Sequence, residues 1–171
     1  MKTGRKTENK GFSMIELIIV ITVLSILISG SLGTLQYISY GNTKKCATAI
    51  NTALNQVQLE NMSKSDTTYL YIYREDKNCY LKIWNQDVSS KNDLTNGKKI
   101  ANGSVSISYK EEATGNEIPL DPQNPASFLK IAYDKGTGAF LDSLPYSEII
   151  LEGRVSYRIQ LVKKTGKHYI E

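Results

Sequence analysis

The stretch that decides the fold is Lys10-Gly11-Phe12-Ser13-Met14-Ile15-Glu16-Leu17, with the apolar run that continues from Leu17 to Ile28. No charged residue occurs from Leu17 to Thr43. About 20 residues of this kind cross a bilayer as an α-helix. The sequence therefore predicts a transmembrane helix that begins close to residue 12.

A basic segment precedes the apolar run. Residues 1–11 carry a net charge of +3, which leaves only +1 of the formal +4 for the rest of the chain. Cytoplasmic flanks of membrane helices are enriched in Lys and Arg. We therefore expect a single pass through the cytoplasmic membrane, with the N-terminus inside and the C-terminal region in the periplasm or outside the cell. The charge of that region does not indicate a general affinity for nucleic acids.

Glu16 lies at the start of the apolar run, where an unpaired carboxylate is costly. Cleavage between Gly11 and Phe12 would create an α-amino group four residues before Glu16. That amine would lie at a helix N-terminus, where the carboxylate is also favoured. We expect the amine and the carboxylate to neutralise one another, within a subunit or between neighbours.

The junction from Lys10 to Leu17, with its basic leader and apolar helix, resembles the prepilin peptidase site of type IV pilins and type II secretion pseudopilins. The resemblance implies cleavage after Gly11, methylation of the new amine on Phe12 and guidance of the subunit into a filament by Glu16. It also implies prepilin peptidase, other pilin or pseudopilin subunits, the filament assembly machinery and membrane lipid as partners. Two alternatives are an ordinary secretory signal cut near Gly30 and a plain signal anchor. A charge inside the apolar region and the length of the run argue against the first. The second leaves the Gly-Phe junction and the spacing of Glu16 unexplained.

The helix is predicted to continue beyond the apolar run as an amphipathic segment. Apolar residues recur at three- and four-residue steps at Cys46, Ile50, Ala53 and Val57, which is the period of one helix face. After Met62 the period changes to two, which is typical of strands. We expect strands at Tyr69–Tyr73, Cys79–Trp84, Val105–Tyr109, Phe128–Tyr133, Ala139–Leu141, Glu148–Leu151, Val155–Val162 and His168–Ile170.

The predicted class is therefore α+β, a pilin fold in which a long N-terminal helix packs against a mostly antiparallel β head. The predicted parts are a cytoplasmic leader (1–11), a transmembrane then amphipathic helix (12–62) and a β-rich head (63–171). The pattern of strands and turns over residues 128–170 resembles the head of GspH and FimT-type minor pseudopilins, which implies a β-sandwich leaning on the helix. The polar stretches 85–99 and 110–127 have no assigned role.

The two cysteines, Cys46 and Cys79, lack any metal-ligand spacing. Each falls on the apolar side of its predicted element. Outside the cytoplasm a disulfide between them is permitted, and two buried thiols are the alternative.

The sequence contains two short matches to an enzyme motif, but their surroundings do not fit that enzyme. Ser127-Phe128-Leu129-Lys130 and Lys164-Thr165-Gly166 fit the S-x-x-K and K-T-G patterns of penicillin-binding enzymes, but the first lies in a predicted strand and no Ser-Asp-Asn element occurs. His168 is the only histidine. We expect no enzyme, no metal site and no cofactor.

The function predicted from the sequence is a structural minor pilin or pseudopilin of a type IV pilus or type II secretion-like filament. The alternative is a DNA-binding minor pilin of a DNA-uptake (competence) system. Its candidate residues are Arg154, Arg158, Lys163 and Lys164, with Lys167 in the following turn and Lys98 and Lys99 as further candidates.

Overall fold

The structure, a computed structural model, describes residues 13–112, 114–141 and 143–171, with side chains described outside residues 29–40. The chain divides into two compact units, one that ends at Tyr37 and one that spans Ile38–Glu171. The predicted leader, residues 1–11, lies outside the described residues.

Helix α1 spans Met14–Ser63, 50 residues. In the N-terminal unit its large apolar side chains are about half exposed or more, from 49% at Val20 and Val23 to 83% at Met14. Within the described part of the chain, no helical stretch has the combined length and apolarity of a membrane span. The transmembrane part of the helix stays a prediction.

The second half of α1 is amphipathic, as its sequence period predicts. Cys46, Ile50, Leu54 and Val57 are fully buried, whereas Thr52 on the opposite side is exposed. The buried stripe belongs to one apolar core that also contains residues of both β-sheets. Burial of each such side chain contributes about 1.5 to 3 kcal/mol, so this half of the helix is an integral part of the head.

The first sheet has four antiparallel strands in the order β3-β2-β1-β6. They are β1 (Tyr69–Glu75), β2 (Asn78–Trp84), β3 (Lys98–Ala101) and β6 (Phe128–Ile131). The β1–β2 hairpin turns at Asp76, whose φ of 52° lies in the left-handed region that Asp tolerates better than most residues.

The second sheet has five strands in the order β5-β4-β7-β8-β9, and its pairings are also antiparallel. They are β4 (Ser106–Lys110), β5 (Ile118–Pro119), β7 (Glu148–Glu152), β8 (Ser156–Val162) and β9 (Lys167–Ile170). Alternate residues of β7 and β8, among them Ile149, Leu151 and Ile159, point into the shared core.

The α+β prediction is confirmed, with corrections in detail. Residues Ala139–Leu141 do not form a strand; Phe140 makes an isolated bridge to Tyr133, because the chain turns through Asp134–Gly138 directly before it. The short strands β3 and β5 were not predicted, since neither Lys98–Ala101 nor Ile118–Pro119 has an alternating apolar pattern.

The segment 85–97, which had no predicted role, covers the outer face of the first sheet. The hydroxyl of Tyr71 donates to the carbonyl oxygen of Gln86 at 2.8 Å, and that of Tyr73 donates to the carbonyl oxygen of Leu94 at 2.9 Å. Val88 and Leu94 are buried with these two tyrosine rings in a second apolar cluster. The tyrosines of β1 therefore act as anchors for this loop.

Candidate functional site

The first candidate site is the start of helix α1. Of the residues predicted to act there, Gly11 and Phe12 lie outside the described residues, and Glu16 is in the first helical turn. The backbone N–H of Ser13 donates to Glu16 Oε2 at 2.9 Å, and the backbone N–H of Glu16 donates to Ser13 Oγ at 3.3 Å. These reciprocal hydrogen bonds form a capping box.

The capping box gives Glu16 a partner that the sequence analysis did not name. The sequence predicts that the carboxylate pairs with a new amine on Phe12, whereas in the structure it accepts from the backbone N–H of Ser13 in its own chain. Ser13 keeps its backbone N–H after cleavage at Gly11, so this contact is compatible with both forms of the chain. The S-x-x-E pattern from Ser13 to Glu16 was the signal that could have predicted it.

The second feature is the pair of cysteines. Cys46 and Cys79 are both fully buried in the apolar core, and both are free thiols. Burial raises the pKa of Cys46 to about 12, and the nearby Cys79 contributes to this shift. Burial also raises the pKa of Cys79, whose Sγ lies 3.7 Å from the carbonyl oxygen of Val105. The sequence prediction that both face the core is confirmed, and a disulfide between them stays a prediction.

The third feature is the group of basic residues proposed for DNA binding. Arg158 lies 3.7 Å from the carboxylate of Glu148, and Lys163 Nζ donates to the carbonyl oxygen of Pro145 at 3.2 Å. Arg154 and Lys164 are exposed in the turns at either end of β8. Two of the four candidate side chains are thus engaged by other groups of the head.

The further candidates Lys98 and Lys99 belong to edge strand β3 of the first sheet. The other basic candidates belong to the second sheet and its turns. The basic residues are therefore shared between two sheets.

The residues of the enzyme-like motifs make local structural contacts. Ser127 Oγ accepts from the backbone N–H of Asp121 at 2.7 Å, and Lys130 in β6 pairs with Asp87. His168 Nδ1 lies 3.4 Å from Tyr133 Oη and 3.3 Å from the carbonyl oxygen of Gly166. Among the described residues, no group of His, Cys, Asp and Glu is arranged to hold a metal ion.

In the comparison with protein families, the family described as the prokaryotic N-terminal methylation motif matches residues 6–32. The matched segment contains Gly11, Phe12 and Glu16. No curated protein and no solved structure matches the chain significantly, so the resemblance of residues 128–170 to GspH and FimT-type heads stays a prediction. The methylation motif supports a type IV pilin-like protein that is processed by a prepilin peptidase and assembles with other pilins.

Proposed function

We propose that this chain is a structural minor pilin or pseudopilin, inserted in the cytoplasmic membrane and assembled into an envelope filament after its leader is removed. One observation carries the proposal. The methylation motif, residues 6–32, includes the first turns of helix α1, whose large apolar side chains are exposed from Met14 to Ile28.

Exposed apolar side chains in such a row require a partner. Each Leu, Ile or Val transferred out of water contributes about 1.5 to 3 kcal/mol, and contiguous exposed apolar surface marks a membrane or protein contact. Lipid would cover these side chains before assembly, and the helices of neighbouring subunits would cover them in the filament.

The capping box gives the Glu16 carboxylate a hydrogen-bond partner when the start of the helix is buried in lipid or among neighbouring helices. The carboxylate satisfies the backbone N–H of Ser13 and lies at the positive end of the helix. When cleavage after Gly11 creates the new α-amino group on Phe12, the carboxylate has a positive charge nearby to pair with, on its own or a neighbouring subunit. Such pairing lowers the cost of burying the helix end among other helices.

The head follows the helix into the filament because α1 contributes Cys46, Ile50 and Leu54 to the head's core. Assembly through the first part of the helix therefore displays the head in the periplasm or at the cell exterior. The proposed role is assembly and display, and it includes no catalytic step.

A Glu16→Ala variant tests the proposal in cells that contain a prepilin peptidase and a filament assembly machinery. We expect the variant to lose its leader as the wild type does, yet to be absent from the sheared filament fraction by immunoblot. Glu112→Ala, an exposed acidic residue of the head, is the matched control and is expected to assemble. Wild-type amounts of Glu16→Ala in the filament fraction would contradict the proposed role of the carboxylate.

A further inference from the structure

The exposed apolar residues on the strands of the head are confined to the two edges of the second sheet. This sheet has the order β5-β4-β7-β8-β9, so β5 and β9 form its edges. Among the described strands, the large apolar residues that are exposed are Ile118 of β5 (38%) and Tyr169 and Ile170 of β9 (46% and 36%). Edge strands also present backbone groups that have no partner strand. Each edge therefore offers apolar surface and hydrogen-bonding groups to another chain.

The edge formed by β5 is acidic. Glu111 and Glu112 precede this strand and line one cleft with Ile118, Pro145 and Lys163. Both glutamates are exposed, and neither forms an ion pair with a described residue. Lys163 instead donates to the carbonyl oxygen of Pro145 at 3.2 Å. Glu111, Glu112 and Ile118 are here called the β5 edge.

The edge formed by β9 is basic. Lys164 lies in the turn before this strand and Lys167 is its first residue, and both are exposed. Neither lysine forms an ion pair within the described part of the chain. The acidic residue of this segment, Glu171, follows β9 at the opposite end from the lysines. Lys164, Lys167, Tyr169 and Ile170 are here called the β9 edge.

The two edges are complementary, but they cannot meet within one head. Four strand spacings of about 4.8 Å, or roughly 19 Å, separate β5 from β9 across the sheet. A second copy of the chain can bring its β9 edge against the β5 edge of the first. Such a contact uses a different surface on each copy, so every added copy leaves one edge of each kind free, and the contact can repeat along an open helical filament.

We propose that the β9 edge of one copy docks on the β5 edge of the next copy in the filament. Tyr169 and Ile170 pack on Ile118, and the two lysines face the two glutamates. The apolar residues supply buried surface, while the charges fix orientation and exclude wrong pairings. The inference rests on the proposed function, in which the chain is a filament subunit, and adds that copies of the chain follow one another there.

Cysteine cross-linking tests the contact directly. The double variant Glu112→Cys, Lys167→Cys is produced in cells with a prepilin peptidase and a filament assembly machinery, and the sheared filaments are oxidised and separated on a gel without reductant. We expect a ladder of covalent multimers, because each copy carries both halves of the contact. The wild type, treated alike, is expected to stay monomeric. If neither this variant nor Glu111→Cys, Lys164→Cys forms multimers in the filament fraction, the contact is overturned.

Single variants separate a head-to-tail contact from a symmetric one. Glu112→Cys alone and Lys167→Cys alone should stay monomeric, whereas filaments that contain both single variants should give dimers and no longer ladder. Dimers from either single variant alone would show a symmetric contact and overturn the proposal. Lys77→Cys with Glu112→Cys is the matched control, since Lys77 is exposed in the β1–β2 turn of the first sheet. A ladder of equal yield in this control would contradict a specific contact.

Charge reversal is the second test. Glu111→Lys with Glu112→Lys should lower the amount of chain in the sheared filament fraction about tenfold, because like charges would then face each other. Adding Lys164→Glu and Lys167→Glu to the same chain should restore the wild-type amount, because each reversed edge then meets a reversed edge. Stability in chemical denaturation identifies any variant that fails to fold. A loss that persists in the folded fourfold variant would contradict the pairing of these edges.

The outcomes separate this contact from the proposed function. A wild-type chain that loses its leader and enters filaments, combined with no cross-link and no rescue, would overturn the contact and leave the proposed function standing. A wild-type chain that is absent from the sheared filament fraction would overturn both.

Discussion

Gln58 on helix α1 donates from its side-chain amide to the carbonyl oxygen of Gly138 at 2.7 Å, and lies 3.5 Å from that of Gly166. Gly138 and Gly166 both have positive φ, 69° and 68°. The helix is thus joined by one side chain to two tight turns of the head, and each turn depends on a glycine.

The first prediction concerns Gly166, where an added Cβ would meet the carbonyl oxygen of Gly138 at 1.9 Å. Gly166→Ala is expected to lower the free energy of unfolding by about 2 kcal/mol or more, because of this clash and the positive φ. Gly136→Ala is the matched control, since its Cβ would meet its nearest neighbour at an ordinary 3.6 Å. Chemical denaturation of both variants measures the difference, and equal stabilities would contradict the arrangement of these turns.

The second prediction concerns thiol reactivity. Cys46 and Cys79 are fully buried and their pKa values are raised by burial, so the reactive thiolate is scarce in the folded chain. We expect both to resist iodoacetamide in the native protein at neutral pH and both to react after denaturation without reductant. Intact mass reports the number of added groups. If two groups are added, and only after denaturation, the cysteines are the free thiols of the structure. If no group is added even after denaturation, the two cysteines form a disulfide.

The elements that follow from residue pattern alone are those with strong periodicity. The amphipathic half of α1 was predictable from Cys46, Ile50 and Val57, and β1 and β2 from their alternating apolar residues. The capping box at Ser13 and Glu16 was also encoded locally.

Other features depend on tertiary contacts that a sequence pattern does not reveal. Strand β3, with Lys98 and Lys99, is an edge strand that pairs with β2 and has no alternating apolar pattern of its own. The hydroxyl groups of Tyr71 and Tyr73 in β1 hold the covering loop by donating to the carbonyl oxygens of Gln86 and Leu94. Backbone acceptors carry no sequence signal, so the covering loop was not predictable.

The third prediction concerns DNA. Arg158 lies near Glu148, and Lys163 donates to the carbonyl oxygen of Pro145. Two of the four candidate cations are thus already held by groups of the head and are less available to neutralise DNA phosphates. We expect weak binding of duplex DNA at low salt and none at physiological salt. A variant in which four residues are changed to Ala should match the wild type at physiological salt; these are Arg154, Arg158, Lys163 and Lys164. Gel shift or fluorescence anisotropy with the full chain checks this.

A Lys44→Ala, Lys45→Ala variant, which removes two exposed charges of the helix, is the control for that measurement. Binding at physiological salt that disappears in the fourfold variant and persists in this control would favour the DNA-uptake alternative.

The fourth prediction concerns pH. Burial lowers the pKa of His168 from its ordinary value of 6.5, so the unfolded chain binds a proton at a pH where the folded chain does not. The contribution of His168 to stability is therefore complete above about pH 6.5 and declines as pH falls from there toward the lowered pKa.

His168→Gln removes this dependence while keeping a polar side chain beside Tyr133. The loss of melting temperature between about pH 7.5 and pH 5 should be smaller in the variant than in the wild type. The lowered pKa values of Glu60 and Asp134 affect both proteins alike. Identical losses in the two proteins would mean that His168 is not desolvated in the folded state.

The mass of the N-terminal peptide shows whether the chain is processed as a prepilin-type subunit. The protein is produced with an active prepilin peptidase, and the peptide is sequenced by mass spectrometry. We expect a chain that begins at Phe12 with a methylated amine, and an uncut chain when the peptidase is inactive. A mature chain that begins near Ser31, or one that retains Met1 beside an active peptidase, would contradict this expectation.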